Sequence, residues 1–285
     1  MLKIAILGLG DRGMNYGNLV QTCTDAEITA VCEKDPERLK LGQERFGLPD
    51  SACFQDSAAF LSYQKLADVL FVCTQDRDHY PHTMAALEKG YHVLVEKPVS
   101  PDPEHLQEII QKSLETNKKV LVCHVLRYSQ FYRKIKELLD SGIIGRTILI
   151  RHAENIGFWH FSHSFVRGHW RKEGETSPMI LAKCCHDMDL LYWWIGAKFQ
   201  SVSSNGQLTF YHPGNKPDHA ADRCCDCPLR ETCLYDAELQ YLGRQDHPQP
   251  LFPWGTYAVT NLPGEENIKK ALETNDYGKC VFAGD

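Results

Sequence analysis

No run of about 18 consecutive apolar residues occurs in the 285-residue chain, so no membrane-spanning helix is expected. Basic charge is not in excess either: 31 Lys and Arg face 37 Asp and Glu, a formal net charge of −6. Nucleic acid, which needs a basic face for its phosphates, is therefore not an expected partner. Internal repeats and low-complexity tracts are absent, and 43% hydrophobic with 24% charged residues excludes disorder and coiled coil as the main state. The opening MLKIAILGLG is broken by glycine too early for the apolar core of a secretory signal, so a cytoplasmic location is expected. Against these absences stands an excess, 12 cysteines. Thiols in such number without a secretion signal point to reduced cysteines or a metal site, not a disulfide framework. At roughly 150 residues per domain, the length suggests two domains.

The first 122 residues alternate short apolar runs with amphipathic stretches. Strands are predicted at 3–7, 27–32, 68–73, 91–95 and 120–123. Helices are predicted at 13–23, at Pro36–Phe46 behind an Asp35 cap, at Ser57–Ser62 behind Asp56 or Ser57, at 82–89 and at 103–115. The continuous DVLFVC run suits a strand buried on both faces of a parallel sheet. Strict alternation implies right-handed βαβ units, hence an α/β fold with a doubly wound Rossmann sheet over residues 1–123. In a second domain, 124–285, a helix is predicted at 129–140, a strand at 147–154, one long helix at 179–195 and β structure across 199–211. Residues 212–265, rich in Pro, Gly, His and Cys, read as a long irregular insertion.

Gly8-Leu9-Gly10-Asp11-Arg12-Gly13 is a G-x-G-x-x-G that follows the first strand and opens the first helix, the context that makes it a dinucleotide fingerprint. Gly8 permits the tight turn, Gly10 the approach of a pyrophosphate, and Gly13 close helix–strand packing. The helix N-terminus offers unpaired N–H groups to the phosphates. Glu33 lies 20 residues after Gly13, where a carboxylate grips ribose hydroxyls and repels a ribose phosphate, so NAD is expected over NADP. Thr74, Glu96 and Lys97, at the ends of later strands, complete the expected cofactor set with Asp11 and Arg12.

The segment Trp159–Arg171 is dense in aromatic, imidazole and guanidinium groups. Sugar faces stack on indole, while Arg and His donate to hydroxyls, so Arg167, His169 and Trp170 are candidate substrate contacts; packing or an interface is the alternative. Tyr128 is a further candidate lining residue. Cys224 and Cys227 form a C-x2-C with Cys233 following, a spacing that can wrap a tetrahedral metal, although free thiols or disulfides remain open.

The glycine loop, AVCEKDPERL around Glu33, HVLVEKP and the later Cys-His-Asp-Met-Asp helix together resemble the Gfo/Idh/MocA family of nicotinamide-dependent oxidoreductases of sugars, cyclitols and related polyols. The resemblance implies a second α/β domain with an open, mainly antiparallel sheet that serves oligomerisation as a dimer or tetramer. It implies that Lys97 contacts the hydroxyl being oxidised, that Lys97–Pro98 is cis, and that His186 accepts the proton. An aspartate of the family pattern is replaced by Ala182, followed by Lys183, expected to keep the imidazole neutral or to touch substrate. Asp189 either orients the His186 ring or supports the helix from outside. The resemblance adds Cys280, in Tyr-Gly-Lys-Cys, as fourth ligand of a structural zinc site, with Cys225 as the spare. It also implies further strands beyond residue 281, so a truncated chain or an incomplete sheet is expected. The expected activity is hydride transfer from a secondary hydroxyl of a sugar, cyclitol or glycoside to NAD. Redox-neutral glycoside cleavage and a non-catalytic NAD-bound sensor are the alternatives.

Overall fold

The computed structural model of the chain describes residues 1–245, 248–252, 255–262 and 264–284. They form two compact units, Met1–Val125 with Glu175–Cys185, and Leu126–Gly174 with His186–Asp285.

The first unit is built on six parallel strands: β1 Leu2–Leu7, β2 Ala26–Cys32, β3 Cys53–Phe54, β4 Val69–Val72, β5 His92–Val95 and β6 Val120–Val122. Their order, β3-β2-β1-β4-β5-β6, places the reversal of winding between β1 and β4. Ligands of such sheets bind beyond the carboxyl ends of the strands at that point. Helices α1 Asp11–Val20, α2 Pro36–Phe46, α3 Ser57–Ser62, α4 His79–Glu88 and α5 Pro103–Thr116 connect them. Asp35 caps α2 by accepting from Glu37 N and Arg38 N, and Asp56 caps α3 by accepting from Ala59 N. Along β1, Ile4 and Ile6 join one core while Ala5 and Leu7 join the other, the period-2 alternation of a strand covered on both faces. The two-residue β3 escaped the sequence reading because it is too short to carry a period. Helix α8, Met179–Ala182, also belongs to this unit.

The second unit holds α6 Gln130–Asp140, α7 Phe158–Phe161, a π-helical turn Ser162–Arg167, α9 Cys185–Ile195 (its first residue grouped with the first unit), α10 Ala237–Tyr241, α11 Thr256–Val259 and α12 Glu265–Thr274. Its core gathers Ala237, Tyr241, Phe252, Val259, Ile268, Leu272 and Tyr277. Three expectations need correction here. Residues 147–154 and 199–211 form no strand, because a strand exists only when paired, and the named strands of the described residues all lie in the first unit's sheet. The expected antiparallel sheet is therefore not among the described residues, whose antiparallel pairing is the isolated Arg223–Lys279 bridge. The single helix expected over 179–195 is broken between α8 and α9, where Lys183 takes φ −109° and ψ −54°. The stretch 212–265 also contains α10 and α11, short helices whose apolar faces pack on α12.

Candidate cofactor and substrate site

In the first unit the glycine turn is enforced by contact. Gly8 has φ +95°, and a Cβ there would lie 2.6 Å from Cys73 O; a Cβ on Gly13 would lie 1.9 Å from Gly8 O. Gly10 caps α1 without a side-chain hydrogen bond, which leaves the first-turn N–H groups of Asp11 and Arg12 without an intrahelical partner. Glu33, buried at the end of β2, is clamped to this turn: Oε2 accepts from Leu9 N at 2.6 Å and Oε1 from Asp35 N at 3.1 Å. Arg38 lies beside the same turn, with Nη1 3.9 Å from where a Gly10 Cβ would stand. A bare helix N-terminus, a glycine turn open to close approach and a carboxylate at the second strand end together fit a dinucleotide.

At the end of β5, Glu96 is buried and accepts from Lys97 N at 3.0 Å and from the Tyr16 hydroxyl. Burial and the Glu96 charge hold the Tyr16 phenol protonated, well above its ordinary range. The Lys97–Pro98 peptide is cis, as expected. Lys97 Nζ donates to Ala182 O at 2.8 Å, so the α8 segment positions the ammonium. Buried Ser177, just before α8, donates to the buried Asp76 carboxylate.

His79 was missed by the sequence reading. It is 1% exposed, with Nδ1 2.7 Å from Pro98 O and Nε2 3.0 Å from Thr74 O, and so ties the turn after β4 to the turn after β5. Thr74 Oγ1 pairs with His82 Nδ1 at 3.1 Å. The His-x-x-His at the start of α4 was the available signal.

The second unit carries the remaining candidates. His186 sits half-buried in the first turn of α9. Asp189 is engaged by a bidentate Arg127 pair (Nε to Oδ2 2.7 Å, Nη2 to Oδ1 2.6 Å), the outside support that was one of its two expected roles. Lys183 ends α8 and His186 belongs to α9, so the two do not lie on one unbroken helix as expected. His152 Nε2 lies 2.5 Å from Asp187 Oδ1, with Glu154 close by. Tyr128 and His169 are exposed, and Trp170 is half-buried against Phe165. Arg167 is a correction. It is 2% exposed and donates to Lys279 O (2.6 Å), Tyr235 O (2.6 Å), Gln240 Oε1 (3.0 Å) and Cys224 Sγ (3.3 Å), so its donors are spent on partners within the second unit.

The four cysteines proposed as ligands, Cys224, Cys227, Cys233 and Cys280, line one cavity. They are not drawn together as a preformed site. Among the described residues, the His, Cys, Asp and Glu group whose donor atoms all lie within 4.8 Å is His152, Glu154 and Asp187, so no three of these sulfurs meet that spacing. Of the other cysteines, Cys32 and Cys123 are buried thiols pushed up to about 12 by desolvation and nearby carboxylates, while Cys23 is exposed.

Residues 2–124 match the model of the Gfo/Idh/MocA oxidoreductase family, NAD-binding Rossmann fold, and residues 132–225 match the Gfo/Idh/MocA C-terminal domain. An inositol 2-dehydrogenase/D-chiro-inositol 3-dehydrogenase of Lacticaseibacillus casei is 26% identical over 244 residues, 85% of this chain and 62% of the relative. A D-glucoside 3-dehydrogenase of Escherichia coli K12 is 30% identical over 145 residues, 50% of this chain and 40% of the relative. The crystal structure of scyllo-inositol dehydrogenase from Lactobacillus casei with bound NAD(H) and scyllo-inositol superposes with a TM-score of 0.60 at 26% identity, covering 69% of this chain and 56% of that one. The chain spans between 40% and 62% of the length of these two curated relatives. No helix among the described residues is long and apolar enough to cross a membrane.

Proposed function

The chain belongs to the Gfo/Idh/MocA family of oxidoreductases, and from that premise we propose that it is an NAD-dependent dehydrogenase acting on a secondary hydroxyl of a sugar, cyclitol or glycoside. The observation that carries this reading is the common edge of the parallel sheet: the glycine turn after β1, Glu33 after β2 and Lys97 after β5 all stand at carboxyl strand ends. The N–H groups of α1 would hold the pyrophosphate, and Glu33 the ribose hydroxyls. Glu33 would repel a phosphate on that ribose, which favours NAD over NADP. The nicotinamide, when bound, accepts the hydride. Lys97, steadied by Ala182 O, would stabilise the negative charge that develops on the substrate oxygen. His186 is assigned the hydroxyl proton, because an imidazole exchanges protons near neutral pH. Lys183 is kept as a candidate substrate contact, being next to the carbonyl that holds Lys97. Assembly as a homo-oligomer is part of the proposal, supported by the exposed Ile143, Ile144, Ile148 and Leu149 of the second unit.

Titration with NAD, then a screen of inositols, sugars and aryl glucosides for NADH formation, tests the reading. Lys97→Met should lower kcat/KM by about 10²–10³-fold while NAD still binds. The likeness to a D-glucoside 3-dehydrogenase justifies the glucosides. Stoichiometric NADH marks net oxidation, and aglycone release without NADH would replace it with redox-neutral cleavage. No NADH and no aglycone with any of these, despite NAD binding, would defeat the dehydrogenase reading.

A further inference from the structure

His79 opens α4 in the first unit and is almost fully buried, yet both of its ring nitrogens face a peptide carbonyl. Nδ1 lies 2.7 Å from Pro98 O, and Nε2 lies 3.0 Å from Thr74 O. A carbonyl oxygen only accepts hydrogen bonds, and a neutral imidazole carries one N–H and one bare lone pair. At one of the two contacts a neutral ring would set that lone pair against an oxygen, out of reach of water. Both bonds are made only when both nitrogens carry a proton.

The surroundings suit a charged ring. The short turn Asp76–Asp78 leads directly into α4 and brings two carboxylates, of which Asp76 is buried and accepts from the Ser177 hydroxyl. Carboxylates in that turn offset both an imidazolium and the positive end of the helix. His82 follows one helical turn on, its Nδ1 3.1 Å from the Thr74 hydroxyl. Burial lowers His82 below the ordinary imidazole value, and the charge of His79 adds to that effect against the pull of Asp78. The two imidazoles then differ in charge: a neutral His82 accepts from the Thr74 hydroxyl, while His79 donates to the Thr74 carbonyl. On the β5 side stand Glu96, which accepts from Lys97 N and the Tyr16 hydroxyl, and Lys97, which donates to Ala182 O. On α5, Glu108 takes the Tyr80 hydroxyl and His105 stacks on the Tyr80 ring.

The ring sits in the middle of a line of contacts from the glycine turn to the lysine. The Thr74 segment abuts the glycine turn, where a Cβ on Gly8 would lie 3.1 Å from Thr74 N. Pro98 follows Lys97, whose N–H is fixed on Glu96 and whose ammonium is fixed on Ala182 O. We propose that His79, protonated on both ring nitrogens, is the positioning residue that holds the Lys97 turn in register with the glycine turn. It acts through Thr74 and Pro98 and takes no part in the proton or hydride steps. Its consequence for the reaction rests on the dehydrogenase reading, because hydride transfer requires the lysine and the nicotinamide in near-attack geometry.

With its histidines labelled by nitrogen-15, the full chain at neutral pH should show a buried imidazole protonated on both nitrogens, and that signal should vanish in His79→Gln. A His79 ring with one bare nitrogen under those conditions overturns the clamp. Lys97 supplies a readout independent of turnover. Its acylation by acetic anhydride, followed by peptide mass spectrometry, should quicken severalfold in His79→Phe and less in His79→Gln, which keeps a donor. Equal rates in all three chains overturn the positioning role. So does the opposite ranking of the variants, which packing alone would give, since phenylalanine fills the space better than glutamine. With a substrate in hand, kcat should fall about 10²-fold in His79→Phe and less in His79→Gln, while NAD still binds. An unchanged kcat in His79→Phe overturns the positioning role and leaves the dehydrogenase reading intact. If the chain binds NAD but oxidises nothing, the dehydrogenase reading fails, and the nitrogen and acylation readouts still decide the clamp. Should either variant fail to fold, the other decides together with the nitrogen spectrum.

Discussion

The two units differ in what surrounds their cores. In the first, the interior of the sheet is aliphatic, with Ala5, Ile6, Leu70, Val72 and Val95 fully enclosed. In the second, Ser162, His163, Ser164, Arg167, Asp236 and Gln240 are all buried beside an aromatic core. Aliphatic burial is non-directional, so any well-spaced set of apolar residues satisfies it. A buried polar group must instead find a particular partner, and leaving one without it costs roughly 1–3 kcal/mol. The aliphatic interior of the first unit's sheet should therefore tolerate change broadly, whereas its buried Glu33, Asp76, His79, Glu96 and Ser177, at the strand ends and in the α8 segment, and the polar core of the second unit should hinge on single side chains.

The strongest attempt to break that contrast is Arg167→Met. It removes the donors to Lys279 O, Tyr235 O and Gln240 Oε1, three acceptors worth together about 5 kcal/mol. Thermal unfolding of the second unit should move sharply down while NAD binding by the first unit survives; equal loss of both would show one cooperative body. Acid is the next lever. Burial, with His160, His169 and Arg167 adding to it, holds His163 neutral and lowers its pKa from 6.5 to about 3. A depressed folded value means the contribution is complete above pH 6.5 and drains as pH falls toward 3, by about 5 kcal/mol in all. Acid unfolding followed by near-UV circular dichroism should start in this window and be blunted in His163→Gln. The smallest effect tests the first unit. Glu33→Gln keeps the shape of the clamp on Leu9 N but removes its charge, so the NAD to NADP preference should fall by about tenfold or less with stability nearly unchanged. An unaltered preference would leave Glu33 as a loop clamp alone.

Legibility follows the same division. Helices α2 and α3 were readable with their ends, because Asp35 and Asp56 cap them within three residues. The glycine turn was readable because its steric demands are met within the β1–α1 unit and by the end of β4. Arg167 was not: in an aromatic-rich stretch a guanidinium reads as a substrate clamp, and the partners that bury it lie 57 to 112 residues away. His79 was hidden for another reason: its two carbonyls lie only 5 and 19 residues away, but on turns after two different strands that only the folded sheet brings together. The run 179–195 is apolar enough for one helix, yet Ala182 O is engaged by Lys97 and the helix is interrupted there. Apolar stretches at 147–154 and 199–211 read as strands, but pairing is a property of two segments and cannot be seen in one.

Residues 175–185 return to the first unit after an excursion of 49 residues, 126–174, into the second. The Lys97–Ala182 contact thus joins positions 85 apart, and the Ser177–Asp76 contact positions 101 apart. Closing so long a loop carries an entropic cost that local strand pairing avoids. During folding, the glycine turn can form as soon as β1, β2 and β4 associate, whereas the lysine receives its anchor only once the distant segment has come back. Competence to hold a dinucleotide and readiness of the lysine are thus separate events in the history of each molecule, the second finished by chain synthesised well after the first.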